Sequence, residues 1–163
     1  MKELSLIIPT FNESMNVEEL VQRLEQALQG VEWEAIFVDD DSPDGTADII
    51  RSMSASNSRV RCLQRIGRRG LSSACIEGML SSAATYVAVM DADGQHDETI
   101  LPHMLEEARD ETVDLVVGSR YVEGGGVGEW ARRRQSISRF AIKIGRLISR
   151  VEILDLTSGF FLA

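Results

Sequence analysis

The sequence predicts an α/β domain: a mainly parallel sheet with helices on both faces. Short apolar runs alternate with stripes at helical spacing from the N-terminus onward. The runs are near-continuously apolar, as strands covered on both faces are. In addition, three of the expected strands end in acidic residues.

The elements follow in order. Leu4 to Pro9 is the first strand, with Pro9 expected to stop it. Asn16 precedes Val17, Leu20, Val21, Leu24 and Leu28, a helical stripe with Glu19 placed to close a capping box. Glu34 to Asp39 is a second strand, centred on Ala35-Ile36-Phe37-Val38, and Asp44 is placed to cap a helix running through Ile50 and Met53. Arg59 to Gln64 reads as a third strand, Gly67 to Gly70 as a loop, and Leu71 to Ser82 as a helix rich in small residues. Thr85 to Asp91 is the fourth strand, Ile100 to Arg109 a helix, and Val113 to Ser119 the fifth strand. Gly124-Gly125-Gly126 breaks the rhythm and reads as a loop. A further helix is expected from about Gln135 to Val151. Ser158 to Ala163 reads as a strand just begun, so the expectation is one domain over 1–163, truncated at its C-terminus.

The length suits a single domain with a sizeable core. The net charge of −9 argues against general nucleic-acid affinity. Cys62 and Cys75 are unclustered and lack metal-ligand spacing, so they are expected as core residues in a reducing compartment. No charged-then-apolar leader is read at the N-terminus, and no apolar stretch is long enough to span a bilayer. The charge is segregated: Arg132 to Arg150 holds seven basic residues and no acidic one. Arg139, Lys143, Arg146 and Arg150 recur on one side of the expected helix, with Ile137, Phe140, Ala141, Ile144, Leu147 and Ile148 on the other. Such a helix suits an anionic membrane surface. It equally suits a surface helix packing its apolar side on the core.

The fourth strand runs into Asp91-Ala92-Asp93-Gly94-Gln95-His96. Residues spaced i, i+2 share a face as a strand runs out. Asp91 and Asp93 are therefore expected together at the sheet's C-terminal edge, where open α/β sheets bind ligands. Two hard oxygen donors suit a divalent cation shared with a diphosphate; the other reading is an acidic turn without a ligand. The second strand ends in Asp39-Asp40-Asp41-Ser42-Pro43-Asp44-Gly45-Thr46. Four carboxylates cannot all be buried without partners. Some must serve turns and caps, and at least one of Asp39 and Asp40 is expected in the crevice beside Asp91. The first strand ends at Pro9-Thr10-Phe11-Asn12-Glu13. Phe11 can stack on a base or join the core. Glu13 can accept hydrogen bonds from a base or serve as a first-turn charge favoured by the helix dipole. An acidic crevice repels a nucleotide unless a cation intervenes, which again points to a metal.

These segments, with Gly70-Leu71-Ser72-Ser73-Ala74, Gly118-Ser119-Arg120-Tyr121-Val122-Glu123-Gly124-Gly125 and Asp155-Leu156-Thr157-Ser158-Gly159-Phe160, occur in a fixed order along essentially the whole chain. Together they resemble the dolichol-phosphate mannose synthases, which are polyprenyl-phosphate mannosyltransferases within the inverting glycosyltransferases of family 2. The resemblance implies a GT-A catalytic domain with a Rossmann-like sheet. It implies transfer of mannose from the nucleotide sugar GDP-mannose to a polyprenyl (dolichyl-type) phosphate, giving a β-linked lipid phosphate sugar, with Mg2+ or Mn2+ as cofactor. Pro9, Phe11 and Glu13 would hold the base, with Val38 and Asp40 nearby. Asp91 and Ala92 would contact the nucleotide, and Asp93 and Gln95 the metal and diphosphate. Arg120 and Arg134 would grip phosphate groups, and Ser138 would lie near the acceptor phosphate. The reaction would be one in-line displacement, with Asp91, Asp93, Arg120 and Arg134 as its catalytic residues. An acceptor phosphate is already anionic, so no strong base is required, and His96 is expected in a structural or loop role. The implied location is cytoplasmic, peripheral at the membrane face.

Four positions depart from the family's pattern. Phe11 stands where Tyr is common, Asp41 where Gly is usual, Leu156 where Pro is common, and Phe161 where many members have Arg. A related enzyme using UDP-glucose is the near alternative, and a nucleotide-binding module without turnover is another. A receiver module would need a lysine at a late strand end, and Lys2 and Lys143 are not so placed. A dinucleotide oxidoreductase would need G-x-G-x-x-G after the first strand, which this chain lacks.

Overall fold

In the computed structural model, which describes residues 2–119 and 159–163, apolar runs and helices alternate as expected. The order is β1 (Leu4–Thr10), α1 (Val17–Ala27), β2 (Trp33–Asp39), α2 (Thr46–Ser56), β3 (Val60–Gln64), α3 (Leu71–Leu80) and β4 (Tyr86–Val89). A 3-10 turn (Glu98–Ile100), α4 (Leu101–Ala108), β5 (Val116–Val117) and β6 (Phe161–Leu162) follow. The glycine loop at 124–126, the helix expected over 135–151 and Leu156 lie outside the described residues, as do Arg120, Arg134 and Ser138.

The strands form one sheet in the order β3-β2-β1-β4-β6-β5. The first four are parallel neighbours, and β6 runs antiparallel between β4 and β5. The sheet is therefore mixed and mostly parallel. Alternate side chains of the central strands feed two cores. Leu4, Leu6 and Ile8 of β1 pack with Val17, Leu20 and Leu24 of α1, Ile50 of α2 and Leu101, Met104 and Leu105 of α4. On the opposite face Ile7, Ile36, Val38 and Val89 pack with Ala74 of α3. The small residues of α3 have a steric reason. A Cβ built on Gly78 would lie 2.3 Å from Ile7 Cγ2 and 2.9 Å from Val38 Cγ2, so the helix backbone rests directly on the sheet.

Several local expectations are corrected. Pro9 does not end β1, which continues to Thr10 in register with Asp39. Ile7 O accepts from Met90 on the β4 side and Thr10 O from Asp40 on the β2 side. Backbone groups alternate sides along a strand, so Pro9 points its missing N–H toward the β4 side. Pairing with β4 stops at Ile7, and Pro9, with no N–H to donate, does not carry it further. Asn16 is the N-cap of α1 but makes no side-chain cap bond. Its amide donates instead to Glu13 Oε2 at 2.6 Å, and its own N–H bonds Glu13 O, so the capping box with Glu19 does not form. β4 ends at Val89, which leaves Asp91 and Asp93 beyond the strand and removes the alternating-face argument for pairing them. β5 is two residues long rather than seven: among the described residues, Val116 and Val117 pair with β6.

Candidate active site

Parallel strands β1, β2 and β4 all deliver their following loops to one edge of the sheet. At the end of β2 the acids are largely consumed by the protein. Asp39 is fully buried. Its Oδ2 accepts the Ser42 N–H at 2.9 Å, and its Oδ1 accepts the hydroxyls of Ser42 and Thr10. Ser42 Oγ in turn accepts the Asn12 N–H at 3.0 Å, tying this turn to the end of β1. Asp41 adopts φ +57°, the left-handed conformation that favours glycine. Aspartate tolerates it, and Gln64 Nε2 donates to its Oδ1 at 2.9 Å.

Asp44 acts one position before the formal N-cap of α2, Gly45. Its Oδ1 accepts the Thr46 N–H and hydroxyl, and its Oδ2 the Ser14 N–H. Burial raises its carboxyl pKa, but the hydrogen bonds from Thr46 and Ser14 outweigh this and lower it to about 2.

Asp40 Oδ1 accepts from Arg65 Nη1 at 2.9 Å, and Oδ2 from the Gly70 N–H at 2.7 Å. Arg65 is 2 % exposed. It also donates to Gly70 O at 3.1 Å and to the Ser73 hydroxyl at 2.6 Å. Its Nε lies 3.3 Å from Glu77 Oε1 without making a hydrogen bond. This buried cluster fixes the loop between β3 and α3, and the sequence reading missed its arginine. The signal was available: a buried acid at the end of β2 needs a cation, and Gln64 pairs with Asp39, which puts Arg65 beside Asp40.

At the end of β1, Phe11 is 40 % exposed, so it is not core. The Arg69 guanidinium carbon lies 4.2 Å from its ring centroid. Arg69 makes no ion pair among the described residues. Pro9 and Glu13 are half-buried, whereas Val38 is fully buried among Ile7, Ile36 and Ala74, so its side chain lies in the core rather than in the crevice wall.

The exit from β4 is built differently. Asp91 has a side chain 43 % exposed, with Oδ2 3.2 Å from His96 Nε2. The His96 ring meets Phe160 edge-on at 5.1 Å, so this histidine orients Asp91. A Cβ on Gly159 would lie 3.2 Å from the same Oδ2, so glycine leaves the carboxylate room. Ala92 is buried, and Asp93, Gly94 and Gln95 are exposed. Asp93 Oδ1 accepts the Gln95 N–H at 3.0 Å, and Gly94 takes φ +73°, so a tight turn holds the second acid. Among the described residues no group of three or more His, Cys, Asp or Glu could hold a metal ion. Exposed carboxylate oxygens that need a ligand to complete a coordination shell fit Mg2+ or Mn2+ bound together with a diphosphate. Cys62 and Cys75 are half-buried free thiols whose pKa values burial raises, which unsuits them as nucleophiles.

Residues 5–163 match the family model described as glycosyl transferase family 2. The dolichol-phosphate mannosyltransferase of Pyrococcus furiosus is 42% identical over 161 residues, which is 98% of this chain and 45% of that protein. The undecaprenyl-phosphate mannosyltransferase of Micrococcus luteus is 37% identical over 157 residues, 94% of this chain and 63% of that protein. The chain thus spans about half the length of the curated relatives it matches. Among solved structures, a mannosyltransferase from Pyrobaculum calidifontis in complex with GDP-Man and Mn2+ has a TM-score of 0.63 at 23% identity, covering 72% of this chain and 35% of that one. Glucosyl-3-phosphoglycerate synthase from Mycobacterium tuberculosis, with Mn2+, UDP-glucose and phosphoglyceric acid, has a TM-score of 0.73 at 18% identity, covering 99% of this chain and 56% of that one. These structural likenesses bear on fold, which is of the GT-A type. The family model and the sequence relatives bear on descent, and on both grounds the chain belongs to glycosyl transferase family 2.

Proposed function

We propose that this chain carries the donor site of a polyprenyl-phosphate mannosyltransferase that uses GDP-mannose and a divalent cation and inverts the sugar's configuration. The carrying observation is the open turn from Asp91 to Gln95, whose acids remain accessible while those of β2 are bound up in the protein. The mannosyltransferase relatives support the choice of sugar and of acceptor class.

Phe11 would stack on the base, with Pro9 and Glu13 beside it. Asp40 would act through the Gly70 loop that it anchors. Asp93 and Gln95 would hold the cation, and Asp91 and Ala92 the nucleotide. When bound, Mg2+ or Mn2+ supplies Lewis-acid stabilisation to the departing diphosphate. The acceptor phosphate oxygen forms its bond to the anomeric carbon as the bond to the nucleoside diphosphate breaks on the opposite face. Arg120 and Arg134 would grip the phosphates, and Ser138 would lie near the acceptor phosphate. The attacking phosphate arrives as an anion, so His96 keeps its place on Asp91 and moves no proton. The basic 132–150 segment would meet lipid headgroups at the cytoplasmic membrane face. Among the described residues no helix is long and apolar enough to cross a membrane.

Calorimetric titration with GDP-mannose, UDP-glucose and their free diphosphates, with and without Mn2+, tests the reading. The expected result is Mn2+-dependent preference for the guanine ligands, with Asp93→Ala abolishing metal-dependent donor binding. A uridine preference would replace the donor. Unchanged metal-dependent binding in Asp93→Ala would overturn the site.

A further inference from the structure

We propose that Arg23, on α1, is a positioning residue for the Asp93–Gln95 turn and thereby sets how tightly a divalent cation is held there. The proposal rests on the reading of that turn as a metal and diphosphate site. Arg23 Nε donates to Glu98 Oε1 at 2.7 Å and Nη2 to Oε2 at 2.5 Å, a planar fork on one carboxylate. Glu98 is buried at the start of the 3-10 turn. The same guanidinium reaches the other end of the loop. A Cβ on Gly94 would lie 3.3 Å from Arg23 Nη1, and Gly94 is the left-handed residue of the acidic turn. One side chain therefore abuts the segment leaving β4 at residues 94 and 98.

The strut is firm because α1 is. Val17, Leu20, Val21 and Leu24 fix that helix in the core. The turn faces solvent: Asp93 and Gln95 are exposed, and Asp93 Oδ1 accepts the Gln95 N–H. His96 secures Asp91, two residues earlier, and Arg23 abuts Gly94, the residue after Asp93. A cation with few protein ligands depends on those ligands being held in place, which is the work of outer contacts.

Electrostatics makes the test sharp. Arg23 is a cation near a cation site, so its charge alone opposes metal binding. Removing it would tighten Mn2+ if charge were all that mattered, and would weaken Mn2+ if position matters. Free Mn2+ is titrated by electron paramagnetic resonance in the presence of saturating GDP. Arg23→Gln is expected to weaken Mn2+ about tenfold, with Arg23→Lys recovering only part and metal-free GDP binding unchanged. Arg23→Gln leaves Glu98 buried without its partner, so the double variant Arg23→Met/Glu98→Leu guards against unfolding. It removes the strut and both charges, and the same weakening is expected. Mn2+ affinity unchanged or tighter in the folded double variant overturns the role of Arg23 alone. Absence of Mn2+-dependent GDP binding in the unaltered chain overturns both this role and the reading of the turn.

Discussion

The end of β2 and the exit from β4 both present clustered acids to one sheet edge, and they use them in opposite ways. Asp39, Asp40 and Asp44 each accept at least two hydrogen bonds from the protein, and these bonds hold the β1, β2 and β3 loops together. Asp93 accepts from its own turn, and Asp91 meets one imidazole. Acids at a ligand-binding edge thus divide into those that build the edge and those left for something the protein does not contain.

Substitutions can break that division, and the largest effect is expected at Arg65. Arg65→Ala strands the Asp40 carboxylate, and urea unfolding should show a loss of about 3–5 kcal/mol. The exposed Asp93→Ala should stay within about 0.5 kcal/mol of the parent while losing metal-dependent binding. Equal stability losses at the two sites would erase the distinction. Asp44→Ala comes next, at about 1 kcal/mol, because it removes the side-chain acceptor at the start of α2.

The pH dependence of Asp44 sharpens the point. Its folded carboxyl, at about 2, lies below the value of about 3.9 for a free aspartate. Its contribution is therefore fully present above the unfolded value and is lost as the pH falls through about 2. Carbon NMR of the Asp44 carboxyl should report that low midpoint, and a midpoint in the ordinary range would mean that its bonds to Ser14 and Thr46 do not persist. The smallest effect is expected at Arg69. Arg69→Ala removes an exposed cation–π contact of about 0.5–1 kcal/mol, so amide exchange in the Gly67–Gly70 loop should quicken with little change in global unfolding.

Much of the fold was legible because periodicity and burial agree. The apolar runs of β1 and β2 mark strands covered on both faces, and the stripe from Val17 to Leu24 marks the buried side of α1. Fine geometry was not legible where it depends on a partner distant in sequence. Pro9 lies inside β1 because the pairing with β2 runs on to Thr10, which the local sequence does not encode. Asn16 had two partners within reach, and the preference for Glu13 is settled by the loop's path. Asp91 and Asp93 were found by spacing, yet the reason given was strand alternation, and a glycine turn does that work instead. Arg65 went unseen because its importance appears only once β2 and β3 are paired.

The placement of β6 bears on how the molecule is made. Strands β3, β2, β1 and β4 are all drawn from the first 89 residues, so a nascent chain can assemble them early. β5 follows, but β6 stands between it and β4 in the sheet. The gap can be filled only when Phe161 and Leu162 leave the ribosome, and the same segment brings Phe160 to His96 and Gly159 to Asp91. Vectorial synthesis therefore finishes the β1–β2–β3 side of the edge first and the Asp91 side last. A ribosome stalled before residue 160 would display a folded half-site whose β4 edge is open to the next strand it meets.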